Sequence, residues 1–281
     1  TASRPRSGSR FFFASAIVYT PFMNFVTGPV RAVGRFAIRT VSALGRAGYL
    51  ARDAARALVN GSQWLPHLLP QMVKVGVESV PIALFIATFT GIVLAQMAEY
   101  TFTGAVPLYF VGTLVGKTMV LELGPVLTGL ALSGRVGANI AAEIGTMRVT
   151  EQIDALETLA YDPAAYLVVP RVVAGVLMFP VVVILADALG VFAGWVTAQA
   201  LLDMSSFEFL KGLRLYFDPW DIQFSAIKSA TFGLTVTSVG CFFGFHARGG
   251  AEGVGQAATR AVVVSSMIIL VLDAFWAAVL L

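Results

Sequence analysis

Long stretches without a charged residue set the main restriction on how this chain can fold. Ser79–Ala98 is a run of 20 such residues. At about 1.5 Å per residue, a helix over this run extends roughly 30 Å, the thickness of the hydrocarbon core of a bilayer. Charged residues make up 12% of the chain, about half of the roughly 25% that is typical of soluble domains. The sequence therefore argues against a soluble enzyme and predicts an all-α polytopic membrane protein.

Five segments are apolar enough to cross the membrane. We place these spans at about 79–98, 107–133, 172–202, 229–247 and 261–281. Phe11–Val30 is also uncharged, but proline and glycine interrupt it and arginines flank both ends, so we expect an interfacial or re-entrant segment there. The predicted organisation is a basic N-terminal part with interfacial helices, residues 1–76, and a five-span domain, residues 77–281, with a cytoplasmic coupling segment at 134–170.

Lysine and arginine are distributed unequally between the two sides of these spans. Fifteen lie on one side, in segments 1–76, 134–171 and 246–260. The opposite side, formed by 99–106 and 203–222, holds two. Because cytoplasmic loops carry the excess of positive charge, we expect a cytoplasmic N-terminus and, after five crossings, a C-terminus on the far side.

The N-terminal part contains a basic amphipathic pattern. Its arginines lie within about 140° on a helical wheel, and apolar residues lie on the other side. This pattern is typical of a helix at the headgroup level of an anionic leaflet, although a cytosolic helix with a solvated basic face has the same pattern. The predicted membrane-surface residues are Arg31, Arg35, Arg39 and Arg46.

Residues that support catalysis or metal binding are scarce. The chain has one cysteine and two histidines. Gly112–Thr118 resembles a phosphate-binding loop but has three residues, not four, between its first glycine and the Gly-Lys pair. We therefore expect no enzymatic activity, no metal and no bound cofactor, and we interpret the paired glycines as points of close helix contact. These pairs are Gly112/Gly116, Gly190/Gly194 and Gly240/Gly244.

Four charged residues fall inside the predicted spans: Lys117, Glu122, Asp187 and Asp273. Each costs on the order of 2.5–3.5 kcal/mol at a helix centre, and such residues are usually functional. We interpret Asp187 and Asp273 as interhelical hydrogen-bonding groups. Glu122 is the favoured functional residue because Gly124-Pro125 follows it. Proline breaks the helix and leaves free carbonyl groups beside the carboxylate, which a membrane tolerates only where protein or a cavity covers them.

The cytoplasmic segment contains a second functional pattern. We predict a short helix over Arg148–Leu159, with Glu151, Asp154 and Glu157 on one face and apolar residues on another. Asp162-Pro163 ends it, because the residue before proline disfavours helix. Such a helix is typical of docking into a groove of a partner protein; a solvated loop helix is the alternative.

Four motifs lie in and after the second predicted span: Glu122-Leu-Gly-Pro-Val126, Ser133-Gly-Arg-Val-Gly137, the string Ala142–Glu157, and Asp162-Pro163 with Val169-Pro-Arg171. They closely resemble those of the MlaE-type (YrbE-like) permeases, the membrane subunits of ABC transporters that work with MCE proteins. The likeness extends from about Arg46 to the end of the chain. Many relatives have arginine directly before the glutamate, where this chain has Leu121.

The resemblance implies a homodimer of five-span permeases that encloses a phospholipid pocket. It also implies ABC ATPase subunits on the cytoplasmic side, which bind the ATP, and a ring of MCE-domain subunits on the far side of a bacterial inner membrane. Glu122 matches the acid that lines the pocket, and we expect Leu121, Lys117 and Pro125 beside it. The residues expected to meet the ATPase are Glu143, Met147, Arg148, Glu151, Asp154 and Glu157.

Lipid transport powered by a separate ATPase is the leading hypothesis. An ion-coupled secondary transporter is an alternative, with Lys117, Glu122, Asp187 and Asp273 as its relay. A scaffold that holds an envelope complex together without transporting anything is a third possibility.

Overall fold

A computed structural model describes residues 37–38, 41–102, 107–202 and 204–280, and their regular secondary structure is helical throughout. The chain divides into two compact units, Thr1–Arg52 and Asp53–Leu281. Helix α1 covers 41–57 and leaves Arg46 exposed. The stretch Phe11–Val30 lies outside the described residues, as do three of the predicted membrane-surface residues, so the membrane contact stays a prediction. These three are Arg31, Arg35 and Arg39.

The remaining helices lie in the second unit. They are α2 Gly61–Val75, α3 Val80–Thr101, α4 Phe110–Thr118, α5 Gly124–Leu132, α6 Ala138–Val149, α7 Gln152–Thr158, α8 Val169–Leu201, α9 Ser206–Leu215, α10 Pro219–Phe245 and α11 Gly250–Leu280. A 3₁₀ turn over Val77–Ser79 joins α2 to α3. Three π-helical turns, Met119–Leu123, Ser133–Gly137 and Ala164–Val168, precede α5, α6 and α8.

The five predicted spans are confirmed. Within the described residues, five helical segments are long and apolar enough to cross a membrane: Gly61–Ala98, Phe110–Val149, Ala164–Leu201, Pro219–Phe245 and Gly250–Val279. Each is longer than predicted, because the helices continue through polar residues beyond their uncharged cores. The chain is thus a multi-pass membrane protein.

Helices α8 and α10 lie at the centre of the second unit. Helix α8 packs against α2, α3 and α10, and α10 also packs against α6 and α11. Because α2 packs onto α8, the structure groups 53–76 with the spans. Gly76 ends α2, and the predicted boundary at 76/77 stays a prediction.

The paired glycines stand at close helix contacts, as predicted. A Cβ on Gly112 would lie 2.2 Å from the carbonyl oxygen of Phe209 in α9, and one on Gly116 would lie 2.3 Å from Leu213. The pair Gly190/Gly194 contacts the spans that contain α3 and α4, and Gly240/Gly244 contacts α6. Small residues let these backbones approach each other closely.

The predicted helix over Arg148–Leu159 is present as α7, Gln152–Thr158, but it begins later than predicted. Helix α6 ends at Val149 and α7 begins at Gln152. Between them Glu151 has φ of 59°, a left-handed conformation that a continuing right-handed helix does not contain. The break lets Ile153, only 1% exposed, turn into the protein.

Candidate functional site

One backbone hydrogen bond of the helix is missing at the site, because a proline stands where its donor would be. Pro125 lies in the first turn of α5 and has no N–H, so the carbonyl of Leu121, four residues earlier, lacks its usual helical donor. The π-helical turn Met119–Leu123 lies at this position. Lys228 of α10 donates from Nζ to the Leu121 oxygen at 3.1 Å. The predicted free carbonyl is therefore present, and a cation from another helix satisfies it.

The same lysine binds two carboxylates. Lys228 Nζ lies 2.7 Å from Glu122 Oε2 and forms a second ion pair with Asp273 of α11. The Lys228 side chain is 0% exposed, whereas the Glu122 side chain is 43% exposed. A buried ammonium group is stable only when it is paired and hydrogen-bonded. We call Glu122, Lys228 and Asp273 the charge triad; it ties three spans together and leaves one carboxylate accessible.

The sequence does not identify Lys228 as a buried charge, because the predicted fourth span begins only at residue 229. The start of α10 is the signal that would have extended this span to include Lys228. Asp218 accepts a hydrogen bond from the Trp220 N–H at 2.9 Å, and Pro219 occupies the first helical position. Asp before Pro is a helix start signal, and a helix from Pro219 carries Lys228 roughly 13 Å inward.

Lys117 does not join the triad. Its Nζ lies 2.7 Å from Asp221 Oδ2 of α10, so this residue, expected beside Glu122 in the pocket, belongs to another cluster. Leu121 is half-buried and Pro125 is buried, and both lie beside the triad through the backbone contact described above.

The other two charges inside the spans make interhelical contacts, as predicted. Asp273 pairs with Lys228. Asp187 Oδ2 accepts a hydrogen bond from Ser225 of α10 at 3.1 Å. Asp187 also packs against Gly124, where a Cβ would lie 1.6 Å from its Oδ1. Glycine before Pro125 is therefore required by the close approach of α8.

The Glu143 carboxylate forms ion pairs with residues of its own chain. Its two carboxylate oxygens lie 2.8 Å from Lys74 Nζ and 3.0 Å from Arg171 Nη2. Arg171 is 5% exposed and also donates to the Leu167 oxygen at 2.7 Å. Glu143 thus joins α2, α6 and α8, and holds the inner end of the segment predicted to meet an ATPase.

The rest of that predicted segment surrounds α7. Arg148 Nη1 donates to Asp154 Oδ1 at 2.5 Å across the break between α6 and α7. Glu151, Asp154 and Glu157 are exposed, and Met147 is partly buried. Ile153 anchors the apolar face of α7. The structure therefore presents an acidic surface on a short helix fixed to the end of a span.

These features define a helical, multi-pass membrane protein with a charge triad at a broken span and a short helix at the end of the same segment. No cluster of three or more His, Cys, Asp or Glu side chains that could hold a metal occurs in the part of the chain that the structure describes. The chain matches the family described as Permease MlaE over residues 68–279, and it belongs to that family.

Named relatives cover most of the chain. It is 37% identical over 240 residues to a "Probable ABC transporter permease protein" of Rickettsia felis, covering 85% of this chain and 93% of that one. It is 34% identical to the "Intermembrane phospholipid transport system permease protein MlaE" of Haemophilus influenzae, covering 89% and 95%. It is 31% identical to "Protein TRIGALACTOSYLDIACYLGLYCEROL 1, chloroplastic" of Arabidopsis thaliana, covering 80% and 64%. The family comprises transport proteins rather than enzymes.

Proposed function

We propose that the chain is the permease subunit of an ABC transporter that moves phospholipid between the bacterial inner membrane and an MCE protein ring. Two copies form a homodimer around the lipid, separate ATPase subunits bind the ATP on the cytoplasmic side, and the ring lies on the periplasmic side. The N-terminus is cytoplasmic and the C-terminus periplasmic. Family membership and the name of the Haemophilus relative support this assignment.

The observation that carries the proposal is the partly exposed Glu122 carboxylate of the charge triad. It lies within the Phe110–Val149 segment and is held by a lysine that is itself fully buried. A membrane tolerates an accessible charge at such a position only where protein or a polar cavity covers it. A second copy of the chain supplies that cover, and the enclosed carboxylate contacts the polar part of a bound lipid.

The fold offers a direct route from the ATPase to this carboxylate. Helices α4, α5 and α6 form one segment, Phe110–Val149, interrupted by two π-helical turns. Such turns are frequent at functional sites. Closure of the ATPase pair presses on α7, the Arg148–Asp154 ion pair passes the movement to α6, and the turn at Met119–Leu123 shifts Glu122 against the lipid.

Glu122→Lys tests the proposal in the complex reconstituted with its ATPase and MCE partners. It places a second cation beside Lys228, so we expect lipid transfer between vesicles to be lost while the ATPase still co-purifies. Asp53→Lys, on an exposed position of α1, is the matched control and retains transfer. Wild-type transfer by Glu122→Lys would remove this carboxylate from the mechanism.

The ion-coupled alternative requires a continuous relay, and the structure divides its four residues. Lys117 pairs with Asp221, Asp187 with Ser225, and Glu122 and Asp273 with Lys228. Transport by the purified chain alone, driven by a proton gradient, would favour that alternative. A scaffold without transport activity would show no lipid co-purifying at a defined stoichiometry.

A further inference from the structure

A cavity of about 250 Å³ lies between α4, α8, α9 and α10, apart from the charge triad. Its wall is mainly apolar and includes Val120, Val191 and Leu213, whereas neither Glu122 nor Lys228 lines it. An apolar group suits the apolar part of this wall, whereas Lys117, Asp187 and Asp221, which also line the cavity, form a polar part.

The cavity reaches the outer surface of the helices. Ile184, Phe217 and Ile222 line it and are 40%, 49% and 42% exposed. In a bilayer Ile184 faces hydrocarbon, and Phe217 and Ile222 lie at the end of the span beside Asp221. An acyl chain can therefore enter sideways from the membrane, without passing the site around Glu122.

The polar end of the cavity has one group with hydrogen-bond donors to spare. Lys117 carries three donors, and Asp221 is its ion-pair partner among the described residues. Asp221 Oδ2 holds the ammonium group in place and also accepts from the Asp218 N–H at 3.2 Å. The Lys117 side chain is 34% exposed and that of Asp221 is 9% exposed. A ligand therefore meets the ammonium group rather than the carboxylate.

The depth of these groups suits an amphiphile. Asp221 lies in the first turn of α10, at the end of a span, where headgroups lie. Ser225 and Asp187 line the cavity about one helical turn deeper and hydrogen-bond each other. Lys117 and Asp221 are thus near the membrane surface, and the cavity continues inward past the Ser225–Asp187 pair.

We propose that this cavity binds one acyl chain of an amphiphile whose anionic, oxygen-bearing headgroup is held by Lys117. Its volume of about 250 Å³ lies below the roughly 300–1,000 Å³ of small-molecule sites, which suits one chain rather than two. A phosphate or carboxylate oxygen would accept a charge-assisted hydrogen bond from the ammonium group. The site is separate from Glu122 and does not depend on the proposed transport function.

The test measures bound lipid on the full chain purified in detergent. Three forms of the chain are titrated with dioleoylphosphatidylglycerol and, separately, with oleate: wild type, Ala188→Phe and Lys117→Gln. Native mass spectrometry counts the equivalents of lipid bound per chain. Ala188 lines the cavity, so phenylalanine there fills it. The matched controls are Ala200→Phe, at an exposed position of α8, and Lys211→Gln on α9; neither residue lines the cavity.

We expect Ala188→Phe to bind one equivalent fewer than wild type and Ala200→Phe. Lys117→Gln should lower the affinity for that lipid about tenfold, because one charge-assisted hydrogen bond of roughly 1.4 kcal/mol is lost. Lys211→Gln should leave this affinity unchanged. Occupancy by the phospholipid identifies a membrane lipid as the source, and occupancy by oleate alone identifies a free fatty acid. Equal binding by Ala188→Phe and Ala200→Phe, or by Lys117→Gln and wild type, would overturn the proposal. Glu122→Lys keeps this equivalent, so failure here is distinguishable from failure of the transport function.

Discussion

Lys228 shows how a single buried cation can organise a membrane domain. Its ammonium group contacts three oxygen groups. They are the Leu121 carbonyl, which Pro125 leaves without a helical donor, and the carboxylates of Glu122 and Asp273. Taking an ammonium group out of water is costly, and three oxygen partners offset that cost. The formal charge of the triad is negative, so its accessible member, Glu122, presents an anionic surface.

Lys228→Met should strongly destabilise the protein. It leaves two carboxylates without their cation, and breaking a buried pair costs about 3–5 kcal/mol of unfolding free energy. Thermal unfolding in detergent should show a clear fall in melting temperature, with Lys211→Met, a change to an exposed lysine, as the control. Adding Glu122→Gln and Asp273→Asn to Lys228→Met should restore much of the loss. An unchanged melting temperature in Lys228→Met would show that the charge is not structurally paired.

Individual residues differ in how far the sequence reveals them. Glu122 can be found because Pro125 stands three residues later and marks the break. The partners of Glu122 cannot be found this way, since Lys228 and Asp273 come from helices more than 100 residues further along the chain. Lys117 illustrates the same limit, because nothing local indicates that it pairs with Asp221 rather than with the triad.

At the level of elements, proline and glycine mark the breaks but not their geometry. The sequence predicts a disrupted helix at Gly124-Pro125, and the structure resolves it as a π-helical turn with α-helix on both sides. It also predicts one helix over Arg148–Leu159, where there is a break at Glu151. The helical periodicity continues across that break and glutamate has no special preference for a left-handed conformation, so local sequence does not predict it; the structure shows that Ile153 is buried just after it.

Pro125→Ala should separate stability from transport. Alanine restores an N–H that can bond to the Leu121 oxygen and compete with Lys228 for it. We expect the melting temperature to stay the same or rise while lipid transfer by the reconstituted complex falls several-fold. Pro180→Ala, which removes the proline inside α8, is the control and should leave transfer near the wild-type rate. Full transfer by Pro125→Ala would mean that the break is dispensable.

For the whole molecule, the number and order of spans follow from the sequence because hydropathy is a local property. The lengths of the spans do not follow from the sequence, since the second predicted span, 107–133, continues as helix to Val149. The helices extend beyond the hydrocarbon where ion pairs such as those of Glu143 hold them together. The grouping of α2 with the spans likewise depends on contacts that composition does not encode.

Assembly with the ATPase should depend on the acidic surface of α7. The double change Glu151→Lys and Glu157→Lys inverts two exposed charges, and like-charge contacts at an interface cost several kcal/mol. We expect at least about a tenfold fall in ATPase recovered by co-purification, while folding in detergent is unchanged. Glu252→Lys, an exposed acid on the same predicted side, should have no effect. Undiminished recovery with the double variant would place the ATPase contact elsewhere.

Asp221 serves two neighbours with one oxygen: it accepts from the backbone of Asp218 at the start of α10 and from Lys117 of α4. Whatever draws Lys117 away also changes the anchoring of the first turn of α10. Lys228 lies seven residues further along that rigid helix, about 10 Å away. One helix thus carries both the carboxylate that holds Lys117 and the cation that holds Glu122.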